Sequence, residues 1–215
     1  MIYPDRWSAG RALGDSLSHL RAGCPLLLAL PRGGVPVAAA VREVIGGDLD
    51  VLLVRKLGVP WQPELAMGAI GEGGVRVLNE EVVDRTGVSP GQIAEAESAE
   101  QTELVRRQRL LRTTIAPIPL TDRVAVIVDD GMATGATVAA ACRVARSHRP
   151  RSITVAAPVS STEAIARLRG CAEDIVCPHI PRSLDGVGGA YRDFHQLEDD
   201  EVLEILAAAG RPHQR

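Results

Sequence analysis

Short unbroken apolar runs alternate with stretches in which apolar residues recur at helical intervals, and this alternation predicts a β-α-β chain order. Leu13, Leu17 and Leu20 are spaced for one helix face behind Trp7, which predicts a helix over 9–20. The run at 25–30 reads as a buried strand and leads into L-P-R-G-G-V-P, after which a helical stretch from 37 to 44 is closed by Gly46 and Gly47. The segment 50–57, built on V-L-L-V, supplies a second strand that ends at Arg55 and Lys56. Residues 65–78 read as a hairpin turning at Glu72, Gly73 and Gly74. Ser89-Pro90-Gly91-Gln92 is a capping box with proline at the first helical position, and it opens a helix to about 112. That helix is laced with charge, with Glu103 placed to meet Arg106 and Arg107, and its apolar face of Ile93, Leu104 and Leu111 is thin. A thin face suits a peripheral or partner-packed helix. A third strand at 124–128 is followed by a helix at 137–147, and a fourth at 152–159 by a helix to about 169 capped by Ser160-Ser161-Thr162-Glu163. A short strand at 175–177 and a helix at 198–209, with Val202, Ile205, Leu206 and Ala209 on one face, complete the order.

Strands alternating with helices imply an α/β fold: a twisted, mostly parallel sheet flanked by helices, Rossmann-like in class. The interval 57–122 is too long for a simple crossover and is expected as an insertion with its own hairpin and helix. Residues 178–197 are expected as a small hood beyond the last strand, and 1–215 as one domain.

Composition narrows the function. Hydrophobic residues make up 46% of the 215, ample for a core, and the net charge of −3 comes from interspersed acids and bases. A nucleic-acid binder would cluster its Lys and Arg, and five aromatic residues are too few for a base-stacking platform. No nucleic-acid partner is expected. Residues 1–20 lack the apolar stretch of a signal peptide, and no apolar run reaches membrane-spanning length, so no membrane partner and a cytoplasmic location are expected. Cys24, Cys142, Cys171 and Cys177 have no zinc spacing and are expected as reduced, mostly buried thiols. Of 24 basic residues only Lys56 is lysine.

The chemistry concentrates in V-I-V-D-D-G-M-A-T-G-A-T at 126–137. An apolar strand delivers two carboxylates to a sheet rim, where open α/β sheets bind ligands. Asp129 and Asp130 can accept hydrogen bonds from a sugar diol or hold a hydrated cation. Ala133, Thr134, Gly135, Ala136 and Thr137 form a loop small enough for backbone N–H groups to close on a phosphate at a helix N-terminus. The plainer alternatives are a Thr-capped turn and helix-capping acids; the latter accounts for one Asp and not both. Arg32, Gly33 and Gly34 stand after the first strand on the same rim, either as a pyrophosphate loop or as a simple turn. Arg55 and Lys56 end the second strand, as phosphate ligands or as a solvated strand end. In D-G-V-G-G-A-Y-R-D-F-H at 185–195, Tyr191 and Phe194 can face a flat ring and Asp193 its polar edge; otherwise the aromatics anchor a surface loop. His19, His148 and His213 read as surface residues, and His179 and His195 have no ligand-spaced partners, so no histidine is assigned a metal. Ser160 and Ser161 lack the surroundings of a nucleophile elbow.

On these residues the chain resembles a type I phosphoribosyltransferase. The strand, acidic pair and T-G-A-T agree in order and spacing with that family's signature for 5-phosphoribosyl 1-pyrophosphate. P-R-G-G is similar to its pyrophosphate loop and R-K to the Arg-Lys pair of orotate-type members. The resemblance implies that Asp129 and Asp130 hold the ribose 2- and 3-hydroxyls and that Ala133 to Thr137 bind the 5-phosphate. Arg32, Gly33, Gly34, Arg55 and Lys56 would contact pyrophosphate, with Mg²⁺ bridging ligand oxygens near Asp129 and Asp130. Asp129, Asp130, Lys56 and Arg32 are then the catalytic group, and Tyr191, Asp193 and Phe194 the base pocket. A non-proline cis peptide is expected around 31–33, and a homodimer is implied. The implied reaction is displacement of pyrophosphate at the anomeric carbon by a nitrogen nucleophile, through an oxocarbenium-like transition state. Two departures stand out. The family's closing loop corresponds to the long interval 57–122, which after Lys56 has no lysine, leaving Arg76 or the cluster 106–109 to substitute. The hood matches no substrate-specific pattern. A nucleotide-sensing regulator of the same fold is the alternative function, and a phosphohydrolase a more distant one.

Overall fold

The structure is a computed structural model and describes residues 2–209; His213 lies outside the described residues. Five parallel strands form the main sheet in the order β2-β1-β6-β7-β8: β1 Leu26–Ala29, β2 Asp48–Val51, β6 Val124–Val128, β7 Ser152–Ala156 and β8 Asp174–Val176. The chain winds outward from β1 to β2 through α2 Gly34–Ile45, then returns to the other side of β1 at β6. Residues 26–29 of β1 pair both with 48–51 and with 125–128, so β1 and β6 lie side by side at the reversal of strand order. In open sheets the carboxyl ends of the two strands at such a reversal leave a crevice.

Alternation along the strands sorts side chains into two cores. Leu27, Ala29, Val126 and Val128 pack with α1 (Arg6–Ser16), α2 and α7 (Asp199–Ala209) on one face. Leu26, Leu28, Ala125 and Ile127 pack with α5 (Ala136–Ser147) and α6 (Thr162–Leu168) on the other. Helices α1 and α2 approach unusually closely because Gly10 and Gly14 face α2. A Cβ at Gly10 would lie 2.6 Å from the Val37 carbonyl, and one at Gly14 2.7 Å from Val44 Cβ.

The insertion is a second, antiparallel sheet of β3 Val54–Val59, β4 Gln62–Gly71 and β5 Val75–Leu78, followed by α3 Glu80–Thr86 and α4 Pro90–Leu111. The hairpin turn at Glu72–Gly74 and the Ser89 capping box form where the sequence places them, and Ile93, Leu104 and Leu111 are the buried residues of α4. A charged clamp ties this unit to the main sheet. Arg112, just past α4, pairs with Asp50 Oδ1 of β2 at 2.5 Å and with Glu72 Oε2 at 2.5 Å. Asp50 is 2% exposed and also accepts from the N–H groups of Val51 and Ile118.

Several expectations change. The strand expected over 50–57 is two strands in different sheets, because the buried pair Leu52-Leu53 crosses between them while keeping the apolar run unbroken. Arg55 and Lys56 therefore lie within β3 and do not end a strand of the main sheet. The helix expected over 9–20 is α1 followed by a tighter 3₁₀ turn at Ser18–Gly23, α2 opens at Gly34 rather than at 37, and α3 carries no sequence expectation. The strand expected over 152–159 stops at Ala156, with Val159 making an isolated bridge to His179. Of the four cysteines, all free thiols, only Cys142 is buried; Cys24 is exposed.

Candidate active site

The rim between β1 and β6 carries both predicted loops. Leu30 N–H donates to the Val128 carbonyl at 2.9 Å, which holds the turn after β1 against the end of β6. The peptide between Pro31 and Arg32 is cis, within the expected segment. Gly34 is packed so tightly on β6 that a Cβ there would lie 2.4 Å from the Val128 carbonyl oxygen, and one at Gly33 would lie 2.0 Å from Asp130 Oδ2. The Asp130 carboxylate thus lies across the space that a side chain at 33 would fill.

The two acids sit in unlike surroundings. Asp129 receives the Asp130 N–H on Oδ1 at 2.9 Å, and its carboxyl is pushed well above the usual carboxylate range by loss of water and then by the neighbouring Asp130 charge. Asp130 is also raised by burial, but the Arg6 guanidinium opposes this through Nε–Oδ2 contact at 2.8 Å. Two close carboxylates at a strand end repel each other, so this counter-charge is what the pair requires.

Beyond the acids the phosphate loop is open. Ala133, Thr134 and Thr137 are exposed, while Gly135 and Ala136 are buried beneath them. Gly135 precedes α5 with φ +71°, and the first helical bond runs from the Ala139 N–H to the Gly135 carbonyl; of the N–H groups before it, that of Ala136 meets Thr134 Oγ1 at 3.4 Å. The loop is braced from behind: Ser161 Oγ donates to the Ala133 carbonyl at 2.5 Å while accepting from the Ala164 N–H as the cap of α6. The result is an exposed cradle on a rigid support, suited to an anion at a helix N-terminus.

The cationic residues are placed less uniformly. Arg32 is partly exposed and faces Asp199 at the start of α7, 3.8 Å away. Arg55 lines a small cavity of ≈ 30 Å³ together with Pro31, Arg107 and Thr137, and pairs with Glu100 at 2.7 Å. Lys56, its neighbour on β3, points to the opposite face and pairs with Glu64 at 3.5 Å. Arg107 of α4 donates to the Pro31 carbonyl at 3.2 Å, so the cluster at 106–109 does reach the β1 loop, whereas Arg76 pairs with Glu97.

The hood is a composite of both ends of the described chain. Tyr3 N–H donates to the Ala190 carbonyl, Arg192 N–H to Tyr3 and Asp193 N–H to Pro4. Tyr191 is 6% exposed and donates through its hydroxyl to the Asp130 carbonyl at 2.5 Å. Phe194 stacks on Tyr191 at 5.0 Å between ring centres, and the Arg6 guanidinium covers it at 3.9 Å. Both rings therefore anchor the hood. Asp193 is exposed and pairs with His195, which also contacts Glu201.

Arg6 carries no sequence expectation as a site residue, and Arg107 is expected at the site only as one of the cluster 106–109. For Arg6 a signal exists: it opens α1 immediately after its cap Asp5, and a cation in a first turn opposes the helix dipole, which marks a residue held by tertiary contacts. Arg107 is hidden among exposed arginines of α4.

The sequence profile of the phosphoribosyl transferase domain matches residues 9–187. A Mycobacterium tuberculosis protein, described in two strains as a "putative phosphoribosyl transferase", is 48% identical over 210 residues, which cover 98% of this chain and 47% of that protein. The chain thus spans about half the length of the curated relatives it matches. The crystal structure of TT1426 from Thermus thermophilus superposes with a TM-score of 0.92 at 38% identity, covering 98% of this chain and 100% of that one. Among the described residues no helix is long and apolar enough to cross a membrane. With 9–187 matched from α1 to the hood and the acidic pair, cradle and β1 loop converging on one crevice, this chain belongs to the phosphoribosyl transferase domain family.

Proposed function

We propose that this site transfers the phosphoribosyl group of 5-phosphoribosyl 1-pyrophosphate to a nitrogen acceptor, releasing pyrophosphate. The observation that carries the reading is the continuity of Asp129 and Asp130, at the carboxyl end of β6, with the exposed cradle of Ala133 to Thr137, opposite the Gly33 loop. The carboxylates and the exposed loop before α5 lie on the same crevice, an order that suits the hydroxyls and 5-phosphate of a phosphorylated ribose.

In this reading the cradle fixes the 5-phosphate and the twin acids accept hydrogen bonds from the ribose diol, orienting the anomeric carbon. The Arg32 guanidinium and the N–H groups of Arg32 and Gly33, with Arg55 and Arg107 nearby, meet the pyrophosphate and stabilise the charge that develops as it departs, while the Gly34 N–H is held by the Leu30 carbonyl. The acceptor nitrogen forms the new C–N bond with its lone pair as the C–O bond to pyrophosphate breaks, and the displaced proton goes to solvent or the acceptor's own base. No group of three or more His, Cys, Asp or Glu able to hold a metal ion occurs among the described residues. The hard carboxylate oxygens of Asp129 and Asp130 fit a Mg²⁺ held mainly by ligand and water. When bound, that ion supplies charge neutralisation on the leaving pyrophosphate.

Titration calorimetry with 5-phosphoribosyl 1-pyrophosphate, with Mg²⁺ and with EDTA, tests the donor half. Saturable heat that is lost in Asp130→Asn is expected. Absence of heat under both conditions removes the reading. Pyrophosphate release across a panel of nitrogen bases and amines then tests transfer and identifies the acceptor class.

A further inference from the structure

Arg6 is remote in sequence from every motif of the site, yet it makes three directed contacts there. Its Nε contacts Asp130 Oδ2 at 2.8 Å, one terminal nitrogen donates to the His195 carbonyl at 3.0 Å, and its guanidinium lies 3.9 Å from the Phe194 ring centre. It is 8% exposed. Its approach is fixed from both sides: Gly10 and Gly14 seat α1 on α2, and the backbone of Tyr3 and Pro4 is bonded to the hood. A buried cation is costly unless it is paired and hydrogen-bonded, and here every contact serves to present it to one carboxylate.

We propose that Arg6 is a positioning residue for phosphoribosyl transfer, acting through Asp130 by holding its carboxylate across Gly33 at the mouth of the ribose crevice. This rests on the donor reading above. With Arg6 in place one Asp130 oxygen is committed to the guanidinium and the other is aimed and free to accept from a sugar hydroxyl. Without it, Asp130 loses its guanidinium partner and its carboxylate is no longer held across Gly33. The ionisable groups around this contact are Asp129, Tyr191, Asp193, His195 and Glu201.

The test compares wild type, Arg6→Gln and Arg6→Lys. Binding of 5-phosphoribosyl 1-pyrophosphate, of ribose 5-phosphate and of inorganic pyrophosphate is measured by calorimetry, alongside thermal melts. Loss of a charge-assisted hydrogen bond predicts binding of both ribose ligands about tenfold or more weaker in Arg6→Gln, with pyrophosphate bound as in wild type. Arg6→Lys, whose ammonium reaches Asp130 with less directed geometry, should recover part of the loss. A residue with only a structural role would lower the melting temperature and weaken all three ligands together. Should Arg6→Gln fail to fold, the comparison of Arg6→Lys with wild type decides: weaker ribose ligands with unchanged pyrophosphate support the role, and unchanged affinity for all three overturns it. Wild-type binding in both variants overturns this proposal alone. A wild type that binds none of the ligand overturns it together with the donor reading.

Discussion

Gly33→Ala isolates the contact on which the site geometry turns. Gly33 has φ −59° and ψ −34°, a right-handed conformation that alanine adopts without strain, so the substitution carries no backbone penalty. What it adds is a methyl group 2.0 Å from Asp130 Oδ2 and 2.5 Å from its Cγ, where real Cβ atoms stay beyond 3.0 Å. The carboxylate must shift by about 1 Å, and the 2.8 Å contact of Oδ2 with Arg6 Nε cannot keep its geometry through a displacement of that size. Overpacking of this kind costs about 1–3 kcal/mol. For a chain of this length that lowers Tm by about 2–12 °C. Misplacing a carboxylate that accepts from the ribose weakens ligand binding by ~10- to 150-fold, the equivalent of one charge-assisted hydrogen bond. Thermal melts and calorimetry of Gly33→Ala, Asp130→Ala and the double variant form the assay. Because the clash needs both groups, the alanine at 33 should cost far less when Asp130 is already gone, giving a coupling of the same size as the single-variant loss. Additive losses, or a Gly33→Ala protein that melts and binds like wild type, would falsify the contact.

Three further outcomes follow from the structure. Asp50→Ala leaves Arg112 short of a buried partner and strands the Val51 and Ile118 N–H groups, so urea denaturation should show a loss of about 3–5 kcal/mol; a loss under about 1 kcal/mol would count against the clamp. Asp129 binds its proton more tightly folded than unfolded, so its ionisation weakens the fold as pH rises above the ordinary carboxylate range. Asp129→Asn should therefore melt higher than wild type at pH 7 while losing affinity for the ribose ligand, and a lower melting point contradicts this. The His195 imidazole is raised by Asp193 and then Glu201, so its contribution is complete below about pH 6.5 and lost as pH rises through the folded value. Asp193 and Glu201 are lowered, so their share is lost as pH falls below the carboxylate range; the melting gap between wild type and His195→Ala should peak between these limits. A gap that grows above about pH 8 speaks against the pairing.

The parallel sheet and the cradle were legible because each rests on a local signal: runs such as V-A-V-I-V that can only be buried strands, and a small-residue turn directly after two acids. The capping box of α4 was legible for the same reason. The break at Leu52-Leu53 was not, since a crossing between sheets buries the same residue types as a continuous strand. That error carried Arg55 and Lys56 to the wrong sheet, although Arg55 still reaches Pro31 through the insertion. The pairing of β3 with β4, which turns at Pro60 and Trp61, carries no sequence expectation, since the strand over 50–57 was assigned to the main sheet. Tyr191 and Phe194 show the limit of composition: scarce aromatics invite a ligand-binding role, while here their rings hold Arg6 and the Asp130 backbone in place. Arg6 itself is fixed by contacts more than a hundred positions away, which no local pattern encodes.

The backbone bonds between Tyr3 or Pro4 and 190–193 join segments more than 180 positions apart. Contacts of such long sequence separation are closed late in folding, because the loop between them must be ordered before they reward it. The main sheet, whose paired strands lie closer together in sequence, can therefore form before these bonds do. Arg6, carried by the same segment, reaches the crevice at that late step.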